Sequence, residues 1–344
     1  MSFDLTEAQC LLRDAAQRYF SERHPVSRAR QACNAPAAAR HELWKELAEQ
    51  GWPAMLAPDD LGGSALGTLD AWLVAQEAGR HLVGLPLVAN MALLPALCTQ
   101  LDPVPPALRN WLAPLAAGSA WYAMASLRSD GTAFVEGAAA GAPVLACERV
   151  EPGVLRLMRC APLSGSQGLD PTMPVALAPR LDSLEELDVE LPPRACDDAL
   201  SRLRLLRAAE MVGAADAALQ AASQYATQRR QFDRPIGANQ AVKHRLADDW
   251  MALDDARLAA RHAAQALDEG AADAERACLA AQLLAVDGAR RTVQGAIQVH
   301  GAMGITWECD VHLYLKRVLR LAALLEAEIT QADALDRLWD IAAV

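Results

Sequence analysis

From about residue 197 onward, apolar residues recur at steps of three and four through stretches far longer than a strand or a turn could use. After Asn239 the series runs Val242, Leu246, Trp250, Leu253, Ala256, Ala260, Ala263 and Leu267. Such a series makes one apolar seam along a helix packed in a bundle. Four helices are expected in this region. The first covers about 197–229, and the second opens after Asn239, a good N-cap residue. The third runs from about 273 to His300 and stops at Gly301. The fourth runs from about 309 to 341.

Residues 119–195 follow another rule. Proline and glycine recur, and the apolar runs shrink to strand length: AWYAMASL, TAFVEGA, PVLACERVE, VLRLMRC, PVALAP and LDVELP. Upstream the helical period returns at 5–20, with Thr6 near its start, and again near 37–50, 68–80, 84–101 and 106–117. Thr68 is the expected cap of the 68–80 helix. The chain therefore reads as mostly α with a small β middle domain. The expected divisions are a helical N-terminal domain over 1–117, the β domain over 118–196, and a four-helix bundle over 197–344. The composition agrees, being 53% hydrophobic and 5% aromatic, rich in Ala and Leu. A chain of 344 residues also exceeds what one simple core organises.

The formal net charge is −11 and no sizeable basic tract occurs, which argues against nucleic acid as a partner. Eight cysteines are scattered without a CxxC pair, as expected of reduced thiols in the cytoplasm. The first residues lack the pattern of a signal peptide, and no apolar run is long enough to span a membrane.

Two stretches break the helical pattern with polar, small and aromatic residues. Residues 225–240 read YATQRRQFDRPIGANQ, and residues 297–317 read IQVHGAMGITWECDVHLYLKR. Adjacent arginines at a helix end have a plain explanation, since cations there offset the helix dipole. An arginine can equally bind an anionic group through two hydrogen bonds, an aromatic side chain can pack on a ring, and a glutamine amide can satisfy polar atoms of a ligand. Gly301 permits close backbone approach. His300, Cys309, Asp310 and His312 are metal-ligand types, but their spacing fits no common zinc pattern, and no metal is expected.

Together the two stretches resemble the C-terminal domain of the acyl-CoA dehydrogenase family, FAD-dependent enzymes that introduce an α,β double bond into acyl-CoA thioesters. The order of helices, strands and bundle resembles that family too, and so does the stretch LWKELAEQGWPAMLAPDDLGGSALGTLDAWLVAQEAGRHL. The resemblance implies FAD as cofactor, an acyl-CoA substrate and an electron-transfer flavoprotein or similar acceptor. It also implies a homodimer, a tetramer or a heteromer with a second family member. Residue by residue, it assigns FAD contacts across a dimer interface to Arg229, Phe232 and Gln240. It assigns further contacts to Gln298, Gly301 and Ala302, the last standing where the family has a second Gly. The TWE-x-D-x-H-L-Y run (306–314) is similar to a branch acting on long, branched or steroid-derived acyl chains.

The resemblance fails at the catalytic base. The reaction needs a carboxylate to remove the α-proton as the β-hydrogen leaves as hydride. The family places its Glu at one of two positions, which here hold Leu325 and Leu203, the latter just before the matching Arg204. Three readings stay open. Glu326, one residue on, is the base; another acid such as Glu210 or Glu308 serves; or the chain has none and is the incomplete subunit of a heteromer. Glu210 could equally pair with a bundle arginine such as Arg207. In the β domain the nearest groups for FAD phosphates are Ser126, Ser129 and Thr132, and Asp170-Pro171-Thr172 resembles a short element of the family.

Overall fold

A computed structural model describes residues 4–33, 37–128, 130–139 and 141–342. The N-terminal helices are α1 (Glu7–Arg23), α2 (Val26–Ala32), α3 (Ala37–Glu49), α4 (Thr68–Arg80), α5 (Leu87–Ala92), α6 (Leu94–Cys98) and α7 (Pro106–Ala116). Helix α1 begins in a capping box: the Gln9 amide N–H donates to Thr6 Oγ1, and the Thr6 N–H donates to the Gln9 side chain. The single helix expected over 84–101 is two short ones. Pro95 cannot continue the hydrogen-bond ladder of α5, and the chain turns at Leu93. Helix α2 is shorter than two turns and carries no clear period, so sequence reading missed it.

Seven strands follow: β1 (Ala123–Leu127), β2 (Ala133–Glu136), β3 (Val144–Glu151), β4 (Val154–Cys160), β5 (Ser166–Gln167), β6 (Pro174–Ala178) and β7 (Ser183–Glu190). They form one sheet in the order β5-β6-β2-β1-β3-β4-β7. All neighbours are antiparallel except β1 and β3, which pair in parallel through Ala123 and Val144.

The bundle opens with α8 (Pro193–Gln228), turns through the hairpin β8 (Arg230–Gln231) and β9 (Arg234–Pro235), and continues with α9 (Gln240–Asp268) and α10 (Ala274–His300). The expected fourth helix is divided into α11 (Val311–Glu328) and α12 (Gln331–Ala342). The break falls at Ile329, which is extended, and Thr330 Oγ1 accepts from the Asp333 N–H to start α12.

One large core joins Trp44 and Trp72 of the N-terminal helices, Leu145 and Leu157 of the sheet, and Leu205 and Leu206 of α8. The three regions differ in secondary structure but share this core, so the sheet sits fixed against both helical layers. A second core lies within the bundle, around Met211, Leu253, Val293 and Leu321. The apolar seam of α9 is buried only in its later part, from Leu253 to Leu267. Trp250 is exposed and Val242 and Leu246 are half-buried, Leu246 packing against the edge of the bundle core.

Candidate functional site

The two unusual stretches meet at one end of the bundle. Tyr225 at the end of α8 stacks on His300 at the end of α10, and His300 Nδ1 lies 2.8 Å from the Ala296 carbonyl. The β8–β9 hairpin turns through Phe232 and Asp233, both at positive φ (51° and 61°). Left-handed backbone is costly for an aromatic residue, and it leaves Phe232 94% exposed. Arg230 donates to the Asp233 carbonyl, and Arg234 donates to Asn239 Oδ1 at 2.6 Å. Asn239 occupies the N-cap position of α9, yet its side chain is engaged with Arg234 and the Ile236 carbonyl instead of the helix N–H groups.

Arg229, Phe232, Gln240, Gln298, Gly301 and Ala302 are all exposed on this end. Gly301 sits at φ 61°, and a Cβ there would meet open space. Among the described residues Arg229 makes no ion pair. Met303, Ile305 and Trp307 stand exposed beside them, an apolar border of the kind that marks an interface. Of the expected sites in the β domain, Thr132 is held by Asp130 in a turn, Ser126 lines the crevice described next, and Ser129 lies outside the described residues.

The second place of interest is the crevice between sheet and bundle, beside the middle of α8. Four carboxylates and three guanidiniums fill it. Arg207 of α8 donates to Glu136 of β2 at 2.8 Å and also pairs with Glu328 at the end of α11. Arg320 of α11 pairs with Glu136 and, at 3.2 Å, with Asp170. Arg317 reaches Asp170 at 2.6 Å, Glu210 at 2.7 Å, Thr172 Oγ1 at 2.6 Å and the Val83 carbonyl at 3.1 Å. Glu210 does pair with a bundle arginine, but with Arg317 of α11 and not with Arg207, and it lies 3.6 Å from Arg320.

Burial and charge compete here. Burial would raise the Asp170 carboxyl, but Arg317 and Arg320 outweigh it and hold it down at about 2. The Glu136 carboxyl is likewise lowered, with burial outweighed by Arg207 and Arg320. For Glu210 burial wins over both arginines, and its carboxyl is raised.

Two cavities flank the network and share Ser126 and Arg128. One, of about 200 Å³, is lined by Phe134, Leu169, Leu319, Leu324 and Arg320. The other, of about 360 Å³, is lined by Leu93, Cys147, Leu203, Arg204, Arg207 and Glu328. Two acids share that cavity with Leu203 and Arg204: Glu148 of β3 and Glu328 of α11. Glu326 lies elsewhere: it forms a two-bond pair with Arg290 of α10 at 2.6 and 3.0 Å and lines neither cavity. A helix turns 100° per residue, so Glu326 faces α10 while Glu328, two residues on at the helix end, faces α8. Leu325 is buried in the bundle core. Glu328 was missed because a count without gaps stops at 325, whereas the break at Ile329 marks where α11 ends.

The fit of a flavin dinucleotide differs between the two places. The bundle end offers an unpaired guanidinium, two amides, an exposed aromatic ring and an open glycine, and these fit the phosphate-bearing part of FAD. The crevice does not fit a flat ring system. Glu136 bonds directly to both helices, and a ring between them would break buried ion pairs at about 3–5 kcal/mol each.

Comparison with known proteins places this architecture. The profile of the acyl-CoA dehydrogenase N-terminal domain matches residues 6–119, and that of the C-terminal domain matches residues 194–325. Acyl-CoA dehydrogenase IpdE2 of Mycobacterium tuberculosis is 34% identical over 93% of this chain and 94% of its own. The ChsE4–ChsE5 complex of Mycobacterium tuberculosis superposes with a TM-score of 0.77 at 22% identity, covering 100% of this chain and 98% of that one. PigA with FAD and proline superposes with a TM-score of 0.81 at 19% identity, covering 100% and 99%. The chain belongs to the acyl-CoA dehydrogenase family, FAD-dependent oxidoreductases of lipid metabolism that act on acyl-CoA thioesters.

Proposed function

We propose that this chain serves acyl-CoA α,β-dehydrogenation as one subunit of a complex with a second family member, its bundle end closing over the phosphate-bearing part of an FAD seated against that partner. One observation carries the reading. The residues suited to the dinucleotide stand exposed at one end of α8, while Leu203, Arg204 and Glu328 stand toward the other. From Arg204 to Arg229 the helix rises about 37 Å at 1.5 Å per residue, so the two places serve different sites.

When bound, FAD supplies the acceptor for the hydride that leaves the acyl β-carbon. This chain's residues bind and orient it. The Arg229 guanidinium would bind the pyrophosphate, Phe232 would pack on a ring, and the Gln240 and Gln298 amides would hold polar atoms of the cofactor. Gly301 and Ala302 give close backbone approach. The exposed Trp250, Trp307 and Ile305 supply the apolar contact with the partner. Electrons leave through an electron-transfer flavoprotein or similar acceptor. The eight free cysteines favour work in the reducing cytoplasm. No helix among the described residues is long and apolar enough to cross a membrane.

A second reading has its own support: the chain removes the α-proton itself. In that case Glu328, which with Glu148 lines the cavity beside Leu203 and Arg204, is in place for it, and Glu326, which lines neither cavity, is not.

The test is purification from the native host through a tag on this chain. Flavin content, subunit composition and turnover of an acyl-CoA panel with an artificial electron acceptor are then measured. A two-component, flavin-containing, active complex is expected. A colourless protein that stays alone and cannot be reconstituted with FAD overturns the reading.

A further inference from the structure

We propose that Arg202 is the cationic floor of a binding site for a small monocarboxylate, set where the start of α8 meets the N-terminal helices and the end of α9. The site is independent of the flavin reading. Residues 202 and 204 lie about 200° apart around the helix, so Arg202 faces away from the cavity that Arg204 lines.

Arg202 is a buried charge without a counter-charge. It is 7% exposed, and among the described residues it forms no ion pair. Its one side-chain hydrogen bond runs from Nε to Thr68 Oγ1 at 2.9 Å, which leaves both terminal nitrogens without a partner. The other buried arginines, Arg207, Arg317 and Arg320, each hold a carboxylate. Two acids act on Arg202 from a distance, and both are engaged elsewhere. Asp268 accepts the N–H and the hydroxyl of Thr68, and so caps α4. Asp198 lies 3.8 Å from Arg194. Burial accordingly holds the Arg202 guanidinium below its usual range, against the pull of both acids. A buried charge in this state is unfavourable until an anion reaches it.

An anion has a way in. Arg202 lines a cavity of about 160 Å³. Its terminal nitrogens are not sealed off, whereas Arg207 Nε and Arg320 Nη2 are sealed within their network. The buried Leu56 and Leu267 wall the cavity, Leu66 stands at its rim, and Thr99 and Gln100 are exposed at its mouth.

These surroundings select the ligand. A guanidinium fork presents paired N–H groups that match a carboxylate. The N-terminus of α4 adds no donor, because Asp268 takes the N–H groups of Thr68 and Leu69, and Asp70 takes that of Gly67. With one cation on the floor and Asp268 in the same wall, a single negative charge is balanced and a dianion is repelled. The leucines accept an aliphatic tail. The tail is short, since the cavity is well below the roughly 300 Å³ at which sites for drug-sized ligands begin.

Thermal unfolding of the full chain tests this in sodium butyrate, acetate, phosphate and chloride, at neutral pH and matched ionic strength. The midpoint should rise most with butyrate, less with acetate, and no further with phosphate than with chloride. Arg202→Met should abolish the response to butyrate. Gln100→Glu places a negative charge at the exposed mouth; it should weaken butyrate binding about tenfold by titration calorimetry and leave the midpoint in chloride unchanged. Gln100→Glu decides the matter even where Arg202→Met does not fold. No response to the carboxylates, or one equal to that of chloride and so an adventitious ion only, overturns the site. A response that survives Arg202→Met, or that Gln100→Glu leaves intact, also overturns it. A larger rise with phosphate than with butyrate overturns the ligand class. Each of these failures leaves the flavin reading standing.

Discussion

The Tyr225 ring stacks on the His300 imidazole with centroids 4.5 Å apart and planes 26° from parallel. This contact ties the end of α8 to the end of α10, and so brings Arg229 and Gln298 to the same face. Arg229→Ala should weaken FAD binding by the complex about 10–100-fold, the worth of one charge-assisted hydrogen bond of about 1.5–3 kcal/mol. Its exposed position predicts an unchanged unfolding midpoint for the chain alone. FAD titration by fluorescence, paired with thermal unfolding, separates the two effects, and undiminished FAD affinity would remove Arg229 from the site.

The two acids at the end of α11 should behave differently. Glu326 forms a surface pair with Arg290, and Glu326→Gln should cost less than about 1 kcal/mol and leave turnover by the complex within about twofold. Glu328→Gln takes a partner from Arg207 and should cost more, about 1–2 kcal/mol, moderated by the 24% exposure of its side chain. Urea unfolding compares them, and a tenfold drop in turnover for Glu326→Gln would restore it as a candidate base.

Asp170 carries two arginines and caps its own turn. Asp170→Asn should lower stability by about 3–5 kcal/mol, because it leaves Arg317 and Arg320 short of charge. The folded carboxyl titrates at about 2 against an ordinary value of 3.8. Its stabilising effect is therefore complete above about pH 3.8 and is lost as pH falls toward 2. Acid unfolding followed by tryptophan fluorescence should show that slope in the parent chain and lack it in the variant.

A separate acid response lies in the N-terminal helices. His24 is fully buried, with both ring nitrogens unpartnered, and burial, with help from Arg28 and His81, pushes its imidazole down to about 4. The unfolded chain then binds a proton that the folded chain refuses, so stability falls as pH drops from 6.5 toward 4. The loss from His24 reaches on the order of 3 kcal/mol at the acid end of that window. His24→Leu should flatten this part of the stability curve, and an unchanged curve would refute the assignment.

Helices α4 and α8 touch backbone to backbone. A Cβ on Gly79 would lie 1.9 Å from the Glu210 carbonyl oxygen, and one on Gly213 would lie 1.9 Å from that of Gln76. Gly213→Ala should therefore destabilise the chain by about 1–3 kcal/mol or more, although alanine is the better helix former. Stabilisation in a denaturant titration would show that the helices separate easily.

Much of this protein was legible because period and punctuation are local properties. Three- and four-residue steps identified α8, α9 and α10, short runs between Gly and Pro located the sheet, and Thr6 marked the start of α1. The stretches 225–240 and 297–317 stood out because they interrupt those patterns, and the family resemblance named Arg229, Phe232, Gln240, Gln298, Gly301 and Ala302 within them, all of which are exposed at one end of the bundle. Local reading gave way where the deciding partner is remote. Thr68 reads as an N-cap, yet it is the first helical residue of α4; Gly67 holds the cap position, and Asp268 from the end of α9 accepts the Thr68 N–H at 2.8 Å.

The amino-acid sequence alone therefore determined the order of layers, the long helices α8, α9 and α10, and the two stretches that interrupt them, since each is written in neighbouring residues. Tertiary structure alone decided that Glu136, Asp170, Glu210 and Glu328 gather around Arg207, Arg317 and Arg320, and that Glu326 turns away to Arg290. The physical reason is that the state of a buried charge depends on which opposite charge folding carries to it. Those partners lie as far apart in the chain as Glu136 and Arg320, where no local pattern connects them.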